Sequence, residues 1–518
     1  MSTTHEENWD IVGGRTWVAS FLAMAATSPS AIALADDSGG QLTRGEVREQ
    51  AAAALGLLER EHGIRAGDRV GLLLENGVRY APIVVGLACL GAVASPISTK
   101  LTPTEIEAQV RATGLKLVIA DAAQEPIAGV PVLTRDALLK DKESNELARL
   151  EQGAAALDVE SHATIICTSG STAAPKPIVL SHGNVAFAVS SSWSYYAIGD
   201  GDVGLSVFPW AHSNGHVNQL LCWLALGVQI SVADRFTASG FAAQLRWSGA
   251  TIAPLNGTHI KMILARLPAD TAAVDSRLRI VPTALEMDAA SAAQFVAIFS
   301  ARLRKVWYQT ETIAPGTICD LNPARTVIND NPLGHPGLGH ELRLLSESGA
   351  PVPPGEPGEI HVRPLTRHAI ALGRIDEQTH ELVPYDRTGW WPTGDLAIAE
   401  PDGFLYYAGR TKEMVKRAGH NVALPEVVDV IRSHPAVVDA TAFGAPDRMR
   451  EEKIIALVVL DRPASDDEII AFCADRLADY KVPSEVLIVP EIARTEIGKT
   501  DVKELRQQYE LAAKAAVS

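Results

Sequence analysis

The chain has 518 residues, of which 47% are hydrophobic and 21% are charged. These fractions are ordinary for globular proteins, so disorder and collagen-like structure are excluded as descriptions of the whole chain. Lys and Arg number 46 against 62 Asp and Glu, which gives a net charge of −16. Because binding a nucleic acid needs a basic face, this sign argues against a nucleic-acid partner.

The cysteine content and the apolar runs indicate the compartment. Five scattered cysteines form no CxxC pair, so neither a disulfide framework nor a zinc site is predicted. The acidic N-terminal segment has no basic region followed by an apolar one, so we predict no secretory signal. The longest apolar run, residues 81–97, is short for a membrane span of about 20 residues and contains two prolines. We predict a cytoplasmic protein without membrane attachment, and we interpret 81–97 as a buried helix followed by a strand.

Strand-like and helix-like segments alternate along the first third of the chain. In chain order, the predicted elements are a helix over 42–61, a strand over 69–74, a helix over 103–113, and strands over 115–120 and 164–167. Proline stands in the first turn of the helix that begins at 103, where its missing N–H is tolerated. This alternation is typical of α/β layers around a largely parallel sheet.

A domain boundary is predicted near residue 410. The turn-rich stretch 392–409 precedes it. The remaining residues carry a pattern of their own: a helix from Pro425, strands near Ala440 and Ile454, a helix from Asp466 and a strand over 485–489. A segment of about a hundred residues is long enough for a small separate domain. We therefore expect domains over 1–409 and 410–518.

The segment 164–182, TIICTSGSTAAPKPIVLSH, has the composition of a phosphate-binding loop. An apolar strand leads into Thr168, Ser169, Gly170, Ser171 and Thr172, and Lys176 follows. Glycine permits unusual backbone angles, and successive hydroxyl and N–H groups can converge on phosphate oxygens. The spacing is not that of a GxxxxGK[ST] loop. The alternative interpretation is a polar surface turn between a strand and a helix.

Five further strings follow in order: WYQTE at 307–311, WWPTGD at 390–395, GRTKEMVK at 409–416, GHNV at 419–422 with Glu426, and RTEIGK at 494–499. Together with the loop, they resemble the TSGSTGxPKG, YGxTE, GWxxTGD, GRxKExIK, GxNVxxxE and RTxxGK motifs of the adenylate-forming superfamily, which includes acyl-CoA synthetases. The resemblance implies a large N-terminal adenylation domain of stacked α/β subdomains with a β-barrel-like subdomain, and a small mobile α+β C-terminal domain. Ala173 and Pro177 depart from the loop motif and stiffen it.

The resemblance also implies a role for each matched residue. The 168–172 loop with Lys176 would hold ATP phosphates, and Thr310 would hydrogen-bond one of them. Glu311 would bind magnesium, which favours carboxylate and phosphate oxygens. Trp307 would stack beside adenine, with Tyr308 and Gln309 next to it.

The remaining matched residues serve the ribose, the chemistry and the thiol. Asp395 would accept the ribose hydroxyls, and Arg410 would support it. Lys499 would bridge the acid and the α-phosphate. Rotation about a hinge near Lys412 would then exchange Lys499 for Gly419 at the channel of the thiol acceptor.

Tyr308 stands where most relatives have glycine, and acetyl-CoA synthetases have a WWQTE string there. A phenol ring at this position predicts a shortened pocket and a small acid, unless the ring points elsewhere. His212 lies in FPWAHSNGH (208–216), which resembles LPLFHxxG and places it near the acid, although a structural histidine is the alternative. Glu286 stands in another departure from the family pattern and could contact the substrate or the adenine amino group.

The function predicted is ATP- and magnesium-dependent adenylation of a small carboxylic acid, followed by thioester formation with coenzyme A. A phosphopantetheine carrier protein is an alternative acceptor. A second alternative is adenylation of a very small oxyacid, such as nitrite, for transfer to an amine. The third is a non-catalytic ATP-binding homologue, which the presence of Lys499, Glu311, Asp395 and Arg410 argues against. We expect a monomer or a homodimer.

Overall fold

The computed structural model describes residues 15–139, 146–169, 175–233, 235–268, 271, 273–284, 287–321, 331–411, 414–417, 420–447, 451–494, 500–502, 504–507 and 509. The chain divides into two compact units. The first comprises Met1–Ala324, Pro336–Glu341 and Arg363–Trp391, and the second comprises Arg325–His335, Leu342–Val362 and Pro392–Ser518.

The helices, in chain order, are α1 (Trp17–Thr27), α2 (Arg44–Arg60), α3 (Tyr80–Leu90), α4 (Pro103–Thr113), α5 (Arg135–Leu138), α6 (Leu147–Ala156), α7 (His182–Tyr196), α8 (Cys222–Leu226), α9 (Phe241–Ser248), α10 (Gly257–Arg266), α11 (Ala289–Phe299), α12 (Leu424–Arg432) and α13 (Asp466–Ala474). A π-helix over Asn214–Leu221 runs directly into α8, and short 3₁₀ turns occur at Arg367–Ala369 and Asp479–Lys481. Among the described helices, none combines the length and the apolarity that a membrane-spanning segment requires.

The strands of the first half are β1 (Ile32–Asp36), β2 (Gln41–Thr43), β3 (Arg69–Leu73), β4 (Val93–Pro96), β5 (Leu117–Ala120), β6 (Val132–Thr134), β7 (His162–Ser169), β8 (Pro175–Ser181), β9 (Val203–Ser206), β10 (Gln229–Val232), β11 (Leu255–Asn256), β12 (Ile280–Ala284), β13 (Arg302–Trp307) and β14 (Thr317–Asp320). Those that follow are β15 (Pro332–Pro336), β16 (His340–Leu345), β17 (Pro357–Pro364), β18 (Gly373–Ile375), β19 (Leu382–Pro384), β20 (Trp391–Ala399), β21 (Leu405–Arg410), β22 (Met414–Arg417), β23 (His420–Ala423), β24 (Val437–Asp447), β25 (Glu451–Leu460) and β26 (Glu485–Ile488).

Two sheets build the first unit. In one, the order is β19-β18-β8-β7-β4-β3-β5-β6, with β7, β4, β3, β5 and β6 parallel. The other sheet has two parts, with the orders β2-β1-β10-β9 and β11-β12-β13-β14. Ile252 links them, because it forms parallel bridges to Gly204 on β9 and to Ile280 on β12. Only β2 and β14 run antiparallel to their neighbours there. The largely parallel α/β arrangement predicted from the sequence is confirmed.

One hydrophobic core joins the strands of both sheets through α1, α2, α3, α7 and α8. All eleven residues of α3 are buried, which explains why the run 81–97 carries no charge. A second core packs α9, α10 and α11 on the other face of β11, β12 and β13. Side chains along β13 therefore alternate between two apolar layers, as expected for a strand that is covered on both faces.

The predicted helix starts coincide with side-chain caps. Thr43 and Glu46 form a capping box at α2, and Thr102 and Glu105 form another at α4. Each box satisfies two backbone N–H groups that the first helical turn leaves without partners. The predicted helices over 42–61 and 103–113 match α2 and α4, and the strands over 69–74 and 115–120 contain β3 and β5.

The second unit contains two sheets. One has the order β15-β21-β20-β17-β16, and the other has the order β23-β22-β25-β24 with β26 parallel to β25. Helices α12 and α13 contribute to a core with the second sheet. The helix from Pro425, the strands near Ala440 and Ile454 and the helix from Asp466 agree with this arrangement. The mixed α/β fold with a large and a small part is confirmed, and the boundary at 409/410 stays a prediction.

Candidate active site

A β-hairpin places the two arms of the predicted phosphate loop side by side. Ser169 at the end of β7 pairs with Pro175 at the start of β8, and Thr168 pairs with Lys176. Lys176 is exposed and Thr168 is half-buried. Gly170, Ser171 and Thr172 lie outside the described residues. The alternative interpretation, a surface turn between a strand and a helix, is wrong about the helix, because β7 is followed by the antiparallel strand β8.

The WYQTE segment forms a tight turn at the carboxyl end of β13. The N–H of Gln309 donates to Thr312 Oγ1 (2.9 Å), and the N–H groups of Thr312 and Ile313 donate to the Gln309 carbonyl (3.1 and 3.0 Å). The N–H of Ala371 donates to the Glu311 carbonyl (2.8 Å). The carboxyl ends of parallel strands are where open α/β sheets bind ligands, so this turn lies at the expected edge.

The Glu311 and Thr310 side chains are both half-buried at this turn. Burial, followed by the Glu311 carboxylate, raises the pKa of Tyr385 to about 12. The carboxylate therefore lies within electrostatic reach of the phenol. A carboxylate and a neighbouring hydroxyl are hard oxygen donors, so their chemistry fits a magnesium ion bound to phosphates.

Trp307 and Tyr308 point to opposite faces of the sheet. Trp307 is 8% exposed, and a Cβ on Gly316 would lie 2.5 Å from its Cζ3 atom. The close approach of ring and backbone explains why glycine occupies position 316. The structure thus leaves little of the indole accessible, and its stacking beside adenine stays a prediction.

The Tyr308 ring packs against the main core, on the face that also holds α7, α8 and the π-helix. The side chain of Asn218 lies near its hydroxyl. Burial raises the pKa of Tyr308 above its usual range, although the bond to Asn218 lowers it in part. The phenol is therefore neutral. Sequence reasoning missed Asn218, because a single asparagine inside an apolar helical pattern gives no signal.

The segment that contains His212 leads into the π-helix. The N–H of His212 donates to the Pro209 carbonyl (3.2 Å), and Thr310 Oγ1 donates to Ser213 Oγ (3.3 Å). The structure thus brings the His212 segment next to Thr310, and the place of His212 near the acid stays a prediction. Trp210 lies fully buried in the core, with its Nε1 donating to Ser206 Oγ (3.0 Å).

His216 was not singled out by the sequence. It is 1% exposed, and in the described part of the chain neither ring nitrogen has a hydrogen-bond partner. Burial lowers the pKa of His216 to about 3, so the ring is neutral at physiological pH. Its ring meets Tyr80 edge-on, with 6.2 Å between centroids.

In the second unit, the structure brings Asp395 and Arg410 together. They are cross-strand partners on β20 and β21, and Arg410 Nε donates to Asp395 Oδ1 (2.8 Å). Asp395 is 2% exposed. Gly394 has φ 72°, and its N–H donates to Glu359 Oε1 (2.9 Å). The left-handed backbone, which glycine adopts readily, turns the chain so that the carboxylate meets the guanidinium.

Several predicted positions lie outside the described residues: Glu286, Lys412, Gly419 and Lys499. The roles assigned to them stay predictions. The described site residues fall into three groups. The first is the β7–β8 hairpin, and the second is the turn after β13 together with the π-helix; both belong to the first unit. The third is the Asp395–Arg410 pair, which belongs to the second unit.

Two family models and a known ligase match this chain. Residues 21–366 match the family model described as AMP-binding enzyme, and residues 426–499 match the model described as AMP-binding enzyme C-terminal domain. A crotonobetaine/carnitine–CoA ligase of Salmonella arizonae is 28% identical over 480 residues, which cover 86% of this chain and 89% of the ligase.

Solved structures agree in fold. ATP-bound MatB from Rhodopseudomonas palustris superposes with a TM-score of 0.81 at 21% identity, covering 95% of this chain and 98% of that one. The o-succinylbenzoate CoA synthetase from Bacillus subtilis, solved with its acyl-adenylate intermediate, gives 0.80 at 23% identity with the same coverage. The same synthetase has also been solved with ATP and a magnesium ion.

Proposed function

Because the chain belongs to the family of AMP-binding enzymes, we propose that it joins a small carboxylic acid to coenzyme A in two steps driven by ATP. The class, an AMP-forming acid–thiol ligase that uses ATP, Mg²⁺ and coenzyme A, agrees with the names of the relatives and of the ligands solved with them. The resemblance to adenylate-forming enzymes drawn from the motifs is confirmed. The size of the acid and the roles of individual residues are the proposal.

In the first step, a carboxylate oxygen of the acid attacks the α-phosphorus of ATP. The bond from that phosphorus to the bridging oxygen of the β-phosphate breaks, and pyrophosphate leaves. Catalysis here is positioning and charge stabilisation. Thr310 and Lys176 would hold phosphate oxygens, and Glu311 would hold a magnesium ion, which neutralises charge on them. Asp395, oriented by Arg410, would hold the ribose hydroxyls.

In the second step, the thiol sulfur attacks the acyl carbon, the bond to the AMP oxygen breaks, and AMP leaves with the negative charge. The thiol proton passes to solvent or to a base. The resemblance assigns the thiol channel to Gly419 and its neighbours.

The orientation of Tyr308 is the observation that supports a small acid. Its ring occupies the face of β13 that meets the π-helix, at a position where relatives with glycine leave space. The ring packs on the core, and the side chain of Asn218 lies near its hydroxyl. A fixed phenol removes pocket volume, because protein interiors are close-packed and cannot shift readily.

Pyrophosphate release from ATP tests the proposal. The panel contains the straight-chain acids from acetate to hexanoate, dicarboxylates, benzoates and nitrite, each with and without coenzyme A. We expect a short carboxylic acid to release pyrophosphate and to yield its thioester only when coenzyme A is present. Turnover of nitrite with an amine and no thiol would replace this proposal with oxyacid transfer. ATP binding without pyrophosphate release from any acid would indicate a binding protein.

A further inference from the structure

A cavity opens in the first unit at the β2–β1 edge of the sheet that also contains β13. Its volume is about 180 Å³, and it is lined by β1, β2, the turn between them, β10 and the end of α9. The polar and aromatic lining side chains are Asp36, Gln41, Gln229, Ser231 and Trp247. Asp36 is the one charged side chain among the described residues that line the cavity, so the lining as a whole is negative.

Strand register places the polar lining on one face of the sheet. Ala35 on β1 pairs with Gln41 on β2 and with Ser231 on β10. Ser231 pairs in turn with Leu205 on β9. Because the side chains of directly paired residues point to the same face, and Leu205 shares a hydrophobic core with Leu245 of α9, this is the face that α9 covers. The small side chain of Ala35 leaves space between Gln41 and Ser231.

Ser231 is buried without a hydrogen-bond partner. The residue is 1% exposed, and its Oγ has no partner among the described residues. Buried hydroxyls without a hydrogen bond are unfavourable, and native proteins keep few of them. Since Ser231 lines the cavity, a ligand with a polar group would supply the missing partner.

The two oxygens of the Asp36 carboxylate have different surroundings. Oδ1 accepts hydrogen bonds from the Gly40 N–H (2.6 Å) and from Ser38 Oγ (2.7 Å), which fix the turn between β1 and β2. Oδ2 accepts no hydrogen bond from the described residues. A Cβ at position 40 would lie 2.4 Å from Oδ2, so glycine there leaves room around this oxygen. The carboxylate can therefore hold the turn through one oxygen and meet a ligand through the other.

Trp247 forms an aromatic wall of the cavity. The residue is 42% exposed, and the face of an indole ring attracts cations. The indole offers no lone pair to a metal ion, because its nitrogen is a donor only. In the described part of the chain, no group of three or more His, Cys, Asp or Glu side chains could hold a metal ion. An organic cation therefore suits this lining better than a metal ion does.

We propose that the cavity binds a small organic cation, a primary alkylammonium that also carries a hydroxyl group. The ammonium meets Asp36 Oδ2 and the face of Trp247, and the hydroxyl group bonds to Ser231 Oγ. The cavity has the volume of about six water molecules, so the ligand has about six non-hydrogen atoms.

This site is separate from the candidate active site. Five strand spacings lie between β1 and β13, through β10, β9, the Ile252 segment and β12. At about 4.8 Å each, they add up to about 24 Å along the sheet. The inference therefore does not depend on the proposed function, and its test uses neither ATP nor an acid.

Binding of 4-aminobutan-1-ol to the full chain, titrated by saturation-transfer NMR, tests the inference. The matched ligand is 1,4-butanediol, which has the same length and a hydroxyl group in place of the ammonium. We expect the amino alcohol to bind at least about tenfold more tightly, because it alone forms a charge-assisted hydrogen bond with the carboxylate. Equal affinities, or no binding of the amino alcohol, would overturn the inference.

Substitutions in the lining locate the binding site. Asp36→Asn keeps an oxygen acceptor for the turn and removes the charge, so the affinity should fall about tenfold or more. Its control is Asp37→Asn, at the exposed neighbouring position outside the lining. Trp247→Ala should weaken binding about two- to fivefold, and Trp193→Ala, which removes an exposed indole on α7, should leave the affinity unchanged.

Ala35→Leu tests the site by filling it. The larger side chain occupies the space between Gln41 and Ser231, so binding should be lost although Asp36 is still present. Thermal unfolding of each variant separates loss of the site from loss of the fold. If Asp36→Asn and Ala35→Leu melt like the parent and bind the amino alcohol as tightly, the cavity is not its site and the inference fails. If either variant does not fold, the comparison of the two ligands on the parent chain decides.

Discussion

The buried carboxylate of Asp395 in the second unit predicts how strongly ATP binding depends on its charge. Asp395 is 2% exposed and accepts a hydrogen bond from Arg410, so Asp395→Asn keeps the shape and removes the charge. Hydrogen bonds to charged groups contribute about 1.5–3 kcal/mol, so we expect KM for ATP to rise about ten- to a hundredfold. Steady-state kinetics with varied ATP measures this. Asp402→Asn, in an exposed turn of the same unit, is the control. An unchanged KM in Asp395→Asn would remove Asp395 from the nucleotide site.

Buried histidines predict how stability depends on pH. Burial lowers the pKa of His216 to about 3 and that of His182, His259 and His340 to about 4. In the unfolded chain the pKa is about 6.5, so the unfolded state binds more protons between these values. Stability is therefore complete above pH 6.5 and falls as the pH drops towards 4, by about 1.4 kcal/mol per pH unit for each histidine.

Thermal unfolding between pH 7.5 and 4.5 measures this slope. His182→Gln removes one titrating ring and should flatten the decline, even if the variant starts from a lower Tm. A decline that begins only below pH 4 would indicate that the carboxylates, and not the histidines, control acid unfolding.

The sequence predicted the pairing of Asp395 with Arg410, but it did not predict the surroundings of Asn218 or Lys305. Asp395 and Arg410 were assigned to one site because both stand in recognisable motifs, and the structure pairs them. Asn218 lies near the Tyr308 hydroxyl, and a single asparagine in an apolar helical pattern gave no signal of this. Lys305 is 1% exposed, which sequence reasoning did not predict, because a single lysine in a strand usually faces solvent.

At the scale of elements, local signals predicted α2, α4, β3 and β5 closely. Capping boxes and turn residues act within a few positions, so they can be read from a short window. The π-helix could not be predicted in this way. Its sequence has the apolar spacing of an ordinary helix, and Ser213, just before it, is hydrogen-bonded to Thr310 in the turn after β13, which is remote in sequence.

The contact between α3 and α6 gives a prediction at the same scale. A Cβ on Gly153 of α6 would lie 1.9 Å from the Cys89 carbonyl oxygen, which is backbone and cannot rotate away. Gly153→Ala must separate the two helices, at a cost of about 1–3 kcal/mol despite the better helix propensity of alanine. Chemical denaturation measures it. Gln152→Ala, on the exposed side of α6, should be neutral or slightly stabilising, and equal midpoints for the two variants would contradict the close approach.

At the scale of the whole molecule, the class of fold was predictable and the extent of the second unit was not. Alternating strand and helix patterns indicate an α/β fold wherever they occur. The second unit, however, draws in Arg325–His335 and Leu342–Val362, far upstream of the predicted boundary. Strand β15 pairs with β21, and such long-range pairing leaves no mark on local composition.

The two half-reactions should respond separately to two substitutions in the C-terminal segment. Lys499→Ala removes the charge assigned to the first step, so adenylate formation should fall about a thousandfold while ATP binding remains. Lys412→Pro fixes one backbone angle at the predicted hinge, so adenylate should still form but thioester formation should slow. Pyrophosphate release and acyl-CoA formation, followed in parallel, measure both steps. Equal losses of both activities in Lys412→Pro would argue against a hinge there.

The complete burial of α3 has a consequence for synthesis on the ribosome. Tyr80, its first residue, packs on Trp210, which is made 130 residues later. At about 5–20 residues per second, the nascent chain presents an uncharged helix without this partner for about 6–26 seconds. Chaperones bind exposed apolar segments of this kind, and such segments aggregate when chaperones are scarce. Slower translation between these positions should lower the soluble yield.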